Sequence, residues 1–420
     1  MRITLTVLLL LISYALHAQP GPRYITENIN DFRKTDDPSG MLIKYTYIID
    51  STSDLSKLSD LRSLNKVTLI IKLKALPQEI NLLSDTLREI TLSCQNDQLA
   101  DISSLSGLKN LKIITLKGVS NITYLNQLLN LTDINIWNYP KSDLRIDLHE
   151  LTKMKTLNIR FGNLKHIIAT QNFQSLDELY IGDLDSVENL EVGKMNSKKI
   201  TISECHYLKS VSSLSSCKSL KELCLDNNYV LKKLDLNFKK MFLDTLELSY
   251  CWLLNDLSAM AGSKTLKTLK LDGLYSIKSI NFDMSKMNLE SVEIKSDSYY
   301  GDHLKNIDGI CRCKSLKKIV LNGLDSLKSL NFNSYDLKLE ALDVNDCKSI
   351  KGIFGLSKCK FLNEMLIGRN ASLVDIPDLK SNLSFVKWVY VHDNRILMIA
   401  NKSIFDRKSS KNWAILDNAN

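Results

Sequence analysis

The feature that most restricts this chain is a spacing. Leu220-Lys-Glu-Leu223-Cys-Leu225-Asp-Asn-Asn228 is followed by Leu243-Asp-Thr-Leu246-Glu-Leu248-Ser-Tyr-Cys251, and the second copy begins 23 residues after the first. Both read L-x-x-L-x-L-x-x-(N or C). Side chains alternate along a strand, so the x-L-x-L-x core of each copy sends two leucines to one face and the residues between them to the other. The Asn or Cys stands where the chain turns inward, and its side chain can there satisfy backbone groups that the turn leaves unpaired. One such unit cannot bury its apolar face alone and needs neighbours of the same kind.

The second hydrophobic position of the unit recurs at Val67, Ile90, Ile114, Ile134, Leu157, Leu179, Ile200, Leu223, Leu246, Leu269, Val292, Ile319, Leu342, Met365 and Val389, 15 units mostly 22 to 24 residues apart. A lone L-x-x-L-x-L is common in any sequence; a run of fifteen in register is not. The pattern resembles the leucine-rich-repeat family. The resemblance implies an α/β solenoid: a horseshoe with a concave parallel β-sheet and convex connections of 3₁₀ turns or short strands. Two kinds of connection alternate in the second half. One carries strand-like alternation, at Leu190-Glu-Val192, Leu234-Asp-Leu236-Asn-Phe238, Ile280-Asn-Phe282 and Leu330-Asn-Phe332. The other is a serine-rich turn, at Val211–Cys217, Leu257–Met260 and Ile353–Cys359, with Asp101–Leu108 of the same form. Those turns are similar to the convex side of the internalin type, a bacterial secreted class.

The organisation expected is a signal peptide at 1–18, an N-terminal flank or cap at 19–42, an array of about 15–16 repeats at 43–394, and a C-terminal cap at 395–420. Met1-Arg2 and the short apolar run to Ala18 have the form of a secretory signal, and the run is shorter than the ~20 residues that span a bilayer. The chain is therefore expected to be exported, to be secreted, periplasmic or at the cell surface, and not to insert in a membrane once cleaved. Residues 19–42 hold Pro20, Pro22, Pro38 and Gly40 and show no strand pattern; Lys44–Ile48 reads as a degenerate first strand. After Val389 the pattern fades, and Ile404, Phe405, Trp413, Ile415 and Leu416 are suited to cover the last core face. Asn121, Asn130, Asn370, Asn382 and Asn401 each begin an N-x-S/T sequence, which matters only in a glycosylating pathway.

Nine cysteines in an exported chain suggest disulfides. Repeat geometry argues against them. Cys205, Cys251 and Cys347 share the turn column, and Cys217, Cys313 and Cys359 share another. Members of one column are at least two repeats apart, or about 10 Å at ~4.8 Å per strand step, beyond the ~7 Å that a disulfide tolerates between Cα atoms. They read as small buried apolar residues. Cys311-Arg-Cys313 lacks a second ligand pair at zinc spacing, and no metal or cofactor is expected. There is no P-loop, no G-x-S-x-G and no H-E-x-x-H, and the histidines are scattered singly. Cys224 alone points outward from a strand, between Thr201 and Glu247, with no base beside it. The chain reads as a non-enzyme.

Function is then expected on the sheet face, where the family binds protein partners. Residues projecting there include Lys117, Trp137, Arg160 and Tyr180 toward the N-terminal half; Glu222, Asp226, Glu247, Asp272 and Glu293 in the middle; and Trp388 and Tyr390 at the end. Trp137 and Tyr180 flanked by Lys117 and Arg160 have the composition of an interface hot spot. An acidic middle on a chain of net charge +8 argues against nucleic acid on this face and leaves the excess lysines as a solvated outer surface. The interval Val292 to Ile319 is 27 residues, so a loop with Tyr299 and Tyr300 is expected to emerge there as another anchor. The alternative reading is an adhesin or carbohydrate-binding surface, for which Trp137 with Asn135 and Asn158 is the candidate platform.

Overall fold

A computed structural model describes residues 23–29, 43–83, 86–94, 101–170, 176–296, 302–332, 337–379, 388–394, 397 and 413–416. The signal segment, the Tyr299–Tyr300 loop, and Asn382 and Asn401 fall outside them. The chain forms two compact units, residues 1–131 and 132–420.

In the first unit five strands, Arg23–Asn28, Ile43–Ile49, Lys66–Ile71, Glu89–Cys94 and Ile113–Lys117, pair in sequence order, all parallel. The connections carry 3₁₀ turns at Leu55–Leu61, Gln78–Leu83, Ser103–Gly107 and Thr123–Gln127. In the second unit a ladder of parallel strands runs from Asp133–Tyr139 to Trp413–Leu416, each paired with the next. Short connections return the chain to the same edge each time, which only a solenoid of stacked repeats permits. This is the leucine-rich-repeat fold.

The register is the one the leucine count requires. Ile134, Leu157, Leu179, Ile200, Leu223, Leu246, Leu269, Val292, Ile319, Leu342, Met365 and Val389 are successive Cα partners. In the first unit Val67, Ile90 and Ile114 are likewise partnered in turn. Apart from Val389, of which only the backbone is described, these side chains and their i+2 companions are buried; among the largest fully buried residues are Tyr47 in the first unit and Phe238 and Phe332 in the second.

Three local features differ from the sequence expectation. Arg23–Asn28, where no strand pattern was read, is a strand, and so is Trp413–Leu416. Each lies against the last strand of a ladder, whose open row of N–H and C=O groups imposes extension on a segment of weak intrinsic pattern. The alternating connections form strands only where their neighbours do. Asp143–Ile146, His166–Ala169 and Asn189–Glu191 make a small parallel sheet, and Ser329–Asn331 pairs with Gly352–Phe354. By contrast, Leu234–Phe238 follows a 3₁₀ turn (Ser212–Ser216) and precedes another (Ser258–Met260). It keeps its buried-exposed alternation but only the single bridge Lys233–Asp256 beside it. Extension without an extended partner yields no ladder.

Each strand ends in a sharp turn. Nine strands of the second unit are followed at once by a residue in the left-handed region, Asp183, Glu204, Asn227, Tyr250, Gly273, Gly323, Asp346, Arg369 and Asp393; in Asp133–Tyr139 and Thr156–Gly162 the last residue but one, Asn138 or Phe161, takes that conformation, and φ lies between 50 and 72° throughout. Asn, Asp and Gly accept this left-handed conformation readily; Phe161 and Tyr250 are held there against their preference. At Gly323 a Cβ would lie 2.0 Å from the Ser296 carbonyl oxygen, so that turn requires glycine.

The residue that follows the left-handed one closes the turn, as its Asn or Cys identity in the consensus suggests. Asn228 is fully buried; its Oδ1 accepts from the Cys205 N–H at 3.2 Å and its Nδ2 donates to the Ile202 carbonyl at 2.9 Å. Asn370 repeats this with the Cys347 N–H (2.9 Å) and the Val344 carbonyl (2.8 Å). Asn394 in turn accepts from the Asn370 N–H at 2.9 Å and donates to the Ile367 carbonyl at 2.7 Å. Both polar ends of Asn370 are thus committed inside the fold, which removes it as a glycan acceptor. All nine cysteines are free thiols, seven of them buried. Burial pushes the Cys251 and Cys347 thiols up to about 12.

Candidate functional site on the sheet face

Three columns of side chains leave the strands of the second unit on the side away from the core. The register places Trp137 beside Arg160, Asn158 between Asn135 and Tyr180, and Tyr180 beside Thr201. Three of these residues, Trp137, Arg160 and Tyr180, form one cluster with Phe161 and Asp183 from the left-handed turn position. The Arg160 guanidinium carbon stands 4.9 Å from the Tyr180 ring centre and 5.2 Å from that of Phe161. Phe161 meets Trp137 edge to face, centroids 6.2 Å apart at 82°. Arg160 donates from Nε (2.9 Å) and Nη2 (2.8 Å) to one oxygen of Asp183, which fixes its orientation.

The local backbone explains why this cluster can form. Tyr180 folds over Gly182, where any Cβ would lie 2.6 Å from the ring, so a glycine is the slot into which the phenol lies. Burial raises the Tyr180 pKa, so the phenol remains a neutral hydrogen-bonding group at physiological pH. Asn158 donates to Asn135 at 2.7 Å, which orders the polar strip beside the rings. Phe161 and Asp183 escaped the sequence reading because both take the left-handed position that follows the x-L-x-L-x core, Phe161 just inside the end of Thr156–Gly162 and Asp183 just past Leu176–Gly182. The signal that would have found them is the left-handed column itself, in which an aromatic is out of place.

The remaining candidates fall elsewhere. Lys117 ends the strand Ile113–Lys117 of the first unit and belongs to that unit's face. Glu222 is exposed at the entry edge of its strand. Asp226 accepts from Ser203 Oγ (3.0 Å) and from Asn227 Nδ2 (3.1 Å). Glu247 pairs with Lys270 at 3.4 Å, Glu293 pairs with Lys295, and Lys199 pairs with Glu178 at 2.9 Å. Asp272 lies beside Lys295 in the adjacent strand. The acidic middle is therefore interleaved with its own lysines, an arrangement a strand-by-strand count of acids does not convey. Asp343 accepts from Asn345, and burial raises its pKa. Tyr390 is half-buried in the strand Trp388–His392, in which Trp388 pairs with Glu364. Tyr299 and Tyr300 are outside the described residues.

Cys224 stands between Thr201 and Glu247, as its register requires. Burial first, then the Glu247 and Asp226 carboxylates, push its thiol up to about 11. A thiolate nucleophile needs the opposite shift. Native Cys224 should accordingly react with iodoacetamide at pH 7.5 about 100-fold more slowly than the same thiol in the denatured chain, rising with pH toward 11. Mass spectrometry of the labelled peptide checks this; rapid labelling at neutral pH would contradict it. Among the described residues no group of three or more His, Cys, Asp or Glu is placed to hold a metal ion, and no helix is long and apolar enough to cross a membrane.

A second array lies on the turn edge. His206, Tyr229, Trp252 and Tyr275 recur every 23 residues, so they fall in one column. His206 stacks on Tyr229 and Tyr229 on Trp252, each at 4.4 Å, and Trp252 meets Tyr275 edge-on at 6.3 Å. Asp185 meets His206 Nδ1 at 2.6 Å. The rings cover one another's faces, so the column is mainly a brace between turns. Counting from the turn rather than from the leucines reveals it.

No family model matches the sequence, and no curated protein matches it. Solved structures do, and those that follow share the repeat architecture. The functional domain of InlJ from Listeria monocytogenes overlaps 82% of this chain at 16% identity and TM-score 0.43, and this chain spans 66% of its length. A leucine-rich-repeat protein of Leptospira interrogans overlaps 86% of this chain and 98% of its own at 18% identity, TM-score 0.38. An internalin of Listeria monocytogenes overlaps 87% of this chain and 89% of its own at 17% identity, TM-score 0.37. The ladder and its register, not these overlaps, carry the fold assignment.

Proposed function

We propose that the chain is an exported, non-catalytic binding module that recognises a protein through the sheet face of its second unit, centred on Trp137, Phe161, Arg160 and Tyr180. The observation that carries this is the Arg160 clamp. An arginine set against two rings and tied to a carboxylate is already ordered before any partner arrives, so little side-chain entropy remains to be lost on binding. Rings and arginine are also the groups whose truncation most often costs binding energy. Phe161, a half-exposed ring in a left-handed turn, fits the tendency of strained conformations to gather at working sites.

The test is affinity capture with residues 19–420 as bait on whole-cell and surface extracts, alongside a Trp137→Ala, Arg160→Ala, Tyr180→Ala triple variant. A protein held by the first and weakened at least about 10-fold by the variant supports the reading. Equal retention by both moves recognition elsewhere, Tyr390 and the Trp388–His392 strand first. An adhesin reading has one supporting observation, the hydrogen-bonded Asn135–Asn158 pair beside Trp137. It predicts capture of glycans and of no protein.

A further inference from the structure

We propose that the side of the second unit opposite its sheet carries a binding strip for a linear acidic polysaccharide, formed by Lys278, Lys305, Lys328 and Lys351. This goes beyond the protein-binding role and does not depend on it. The four lysines occupy the same position in four consecutive repeats, each directly after a buried Ile or Leu: Ile277, Leu304, Leu327 and Ile350. Their backbones are tied across repeats. The Lys305 N–H donates to the Lys278 carbonyl at 2.9 Å and the Lys351 N–H to that of Lys328 at 2.8 Å. Ser279 bridges Asn306, Ser329 pairs with Gly352, and Ser326 donates to the Asp302 carbonyl at 2.7 Å. The lysines therefore stand in a straight row with a step of about 4.8 Å.

All four are exposed, and none makes an ion pair with any described residue. On the sheet face the opposite holds, since Lys199, Lys270 and Lys295 each pair with a glutamate there. Like charges in register repel, so an uncompensated row costs stability unless something else uses it. The columns flanking the row are polar and carry no acid: Ser276, His303, Ser326 and Ser349 on one side, Ser279, Asn306, Ser329 and Gly352 on the other. Acids return in the flanking column immediately outside the strip, at Asp256 before it and Asp375 after it. Nearby Asp302, Asp308 and Asp325 are each turned to a partner: the Ser326 N–H (2.6 Å), Asn306 Nδ2 (2.9 Å) and Lys348 (2.9 Å). An open groove lined by Asn255, Ser276, Lys278, Ser279 and His303 marks one end.

The geometry selects the polymer. A straight row with one cation per strand step matches an extended chain with one charged pyranose per step, and the hydroxyls and amide alongside suit sugar hydroxyls. A duplex winds its phosphates away from a straight row, and single-stranded nucleic acid is held by aromatic platforms, of which the strip has none.

Binding of residues 19–420 to dextran sulfate, to a single-stranded oligonucleotide and to phosphatidylserine vesicles is measured across a salt series. The comparison variants are Lys305→Glu/Lys328→Glu and the equal-charge control Lys239→Glu/Lys240→Glu. The account expects the strip variant to lose at least about 10-fold in dextran sulfate affinity at ~0.1 M salt, with a shallower salt dependence, and the control to keep its affinity. Circular dichroism confirms the fold, and a Lys305→Gln/Lys328→Gln pair replaces the glutamates if it is lost. Equal loss in both variants would reduce the effect to net charge and overturn the proposal. So would the absence of dextran sulfate binding, or a strip-dependent preference for the oligonucleotide or the vesicles.

Discussion

Phe238→Ala is expected to destabilise the second unit by about 3–5 kcal/mol, the usual cost of emptying a buried phenylalanine site. Phe238 is 1% exposed and is among the largest side chains wholly inside the solenoid. It comes from an extended connection flanked by two 3₁₀ turns, so no ladder of backbone bonds holds that segment while the core repacks. In a stacked array stability is a sum of repeat terms and nearest-neighbour interfaces. A mid-array defect should therefore split or broaden the denaturation curve, with the midpoint lowered. Phe361→Ala, at an exposed ring, is the control and should change stability by less than about 0.5 kcal/mol. A single transition unchanged by Phe238→Ala would mean the connection contributes no core.

Asn370→Ala is expected to cost about 2–4 kcal/mol, because it strands two buried backbone groups, the Cys347 N–H and the Val344 carbonyl. The Asn370 N–H is in turn held by Asn394, so Asn370→Ala and Asn394→Ala should not add. A double-mutant cycle by urea denaturation should give a coupling of about 0.5–3 kcal/mol. Asn130→Ala, whose amide makes a bond to the Lys109 carbonyl near the surface, should be milder. If the two asparagines behaved as equals, the buried turn would not be the element that locks one repeat to the next.

Most of the fold was legible because one rule repeats. Leucine spacing sets which residues face the core, and a one-residue slip would have reversed every face, so the register from Val67 to Ile114 and from Ile134 to Val389 follows from counting. What sequence did not disclose is pairwise. Leu234–Phe238 and Leu330–Phe332 have the same alternation, yet only the second joins a strand, since only its neighbour Gly352–Phe354 is extended. Arg23–Asn28 becomes a strand by lying on another, not by its own pattern. At the candidate site Trp137, Arg160 and Tyr180 were found as strand residues, while Phe161 and Asp183 were missed as turn residues. The acids of the middle strands were read as facing outward, but their pairing with lysines across strands belongs to side-chain geometry.

The central claim is that recognition occurs on the sheet face around Arg160. It is tested most directly by placing a photo-crosslinking amino acid at Tyr180 and, in a separate protein, at the exposed Tyr207 of the turn edge, then irradiating in surface extracts. The account predicts a covalent adduct to one protein from position 180 and none from 207. An adduct from 207 with none from 180 would contradict it.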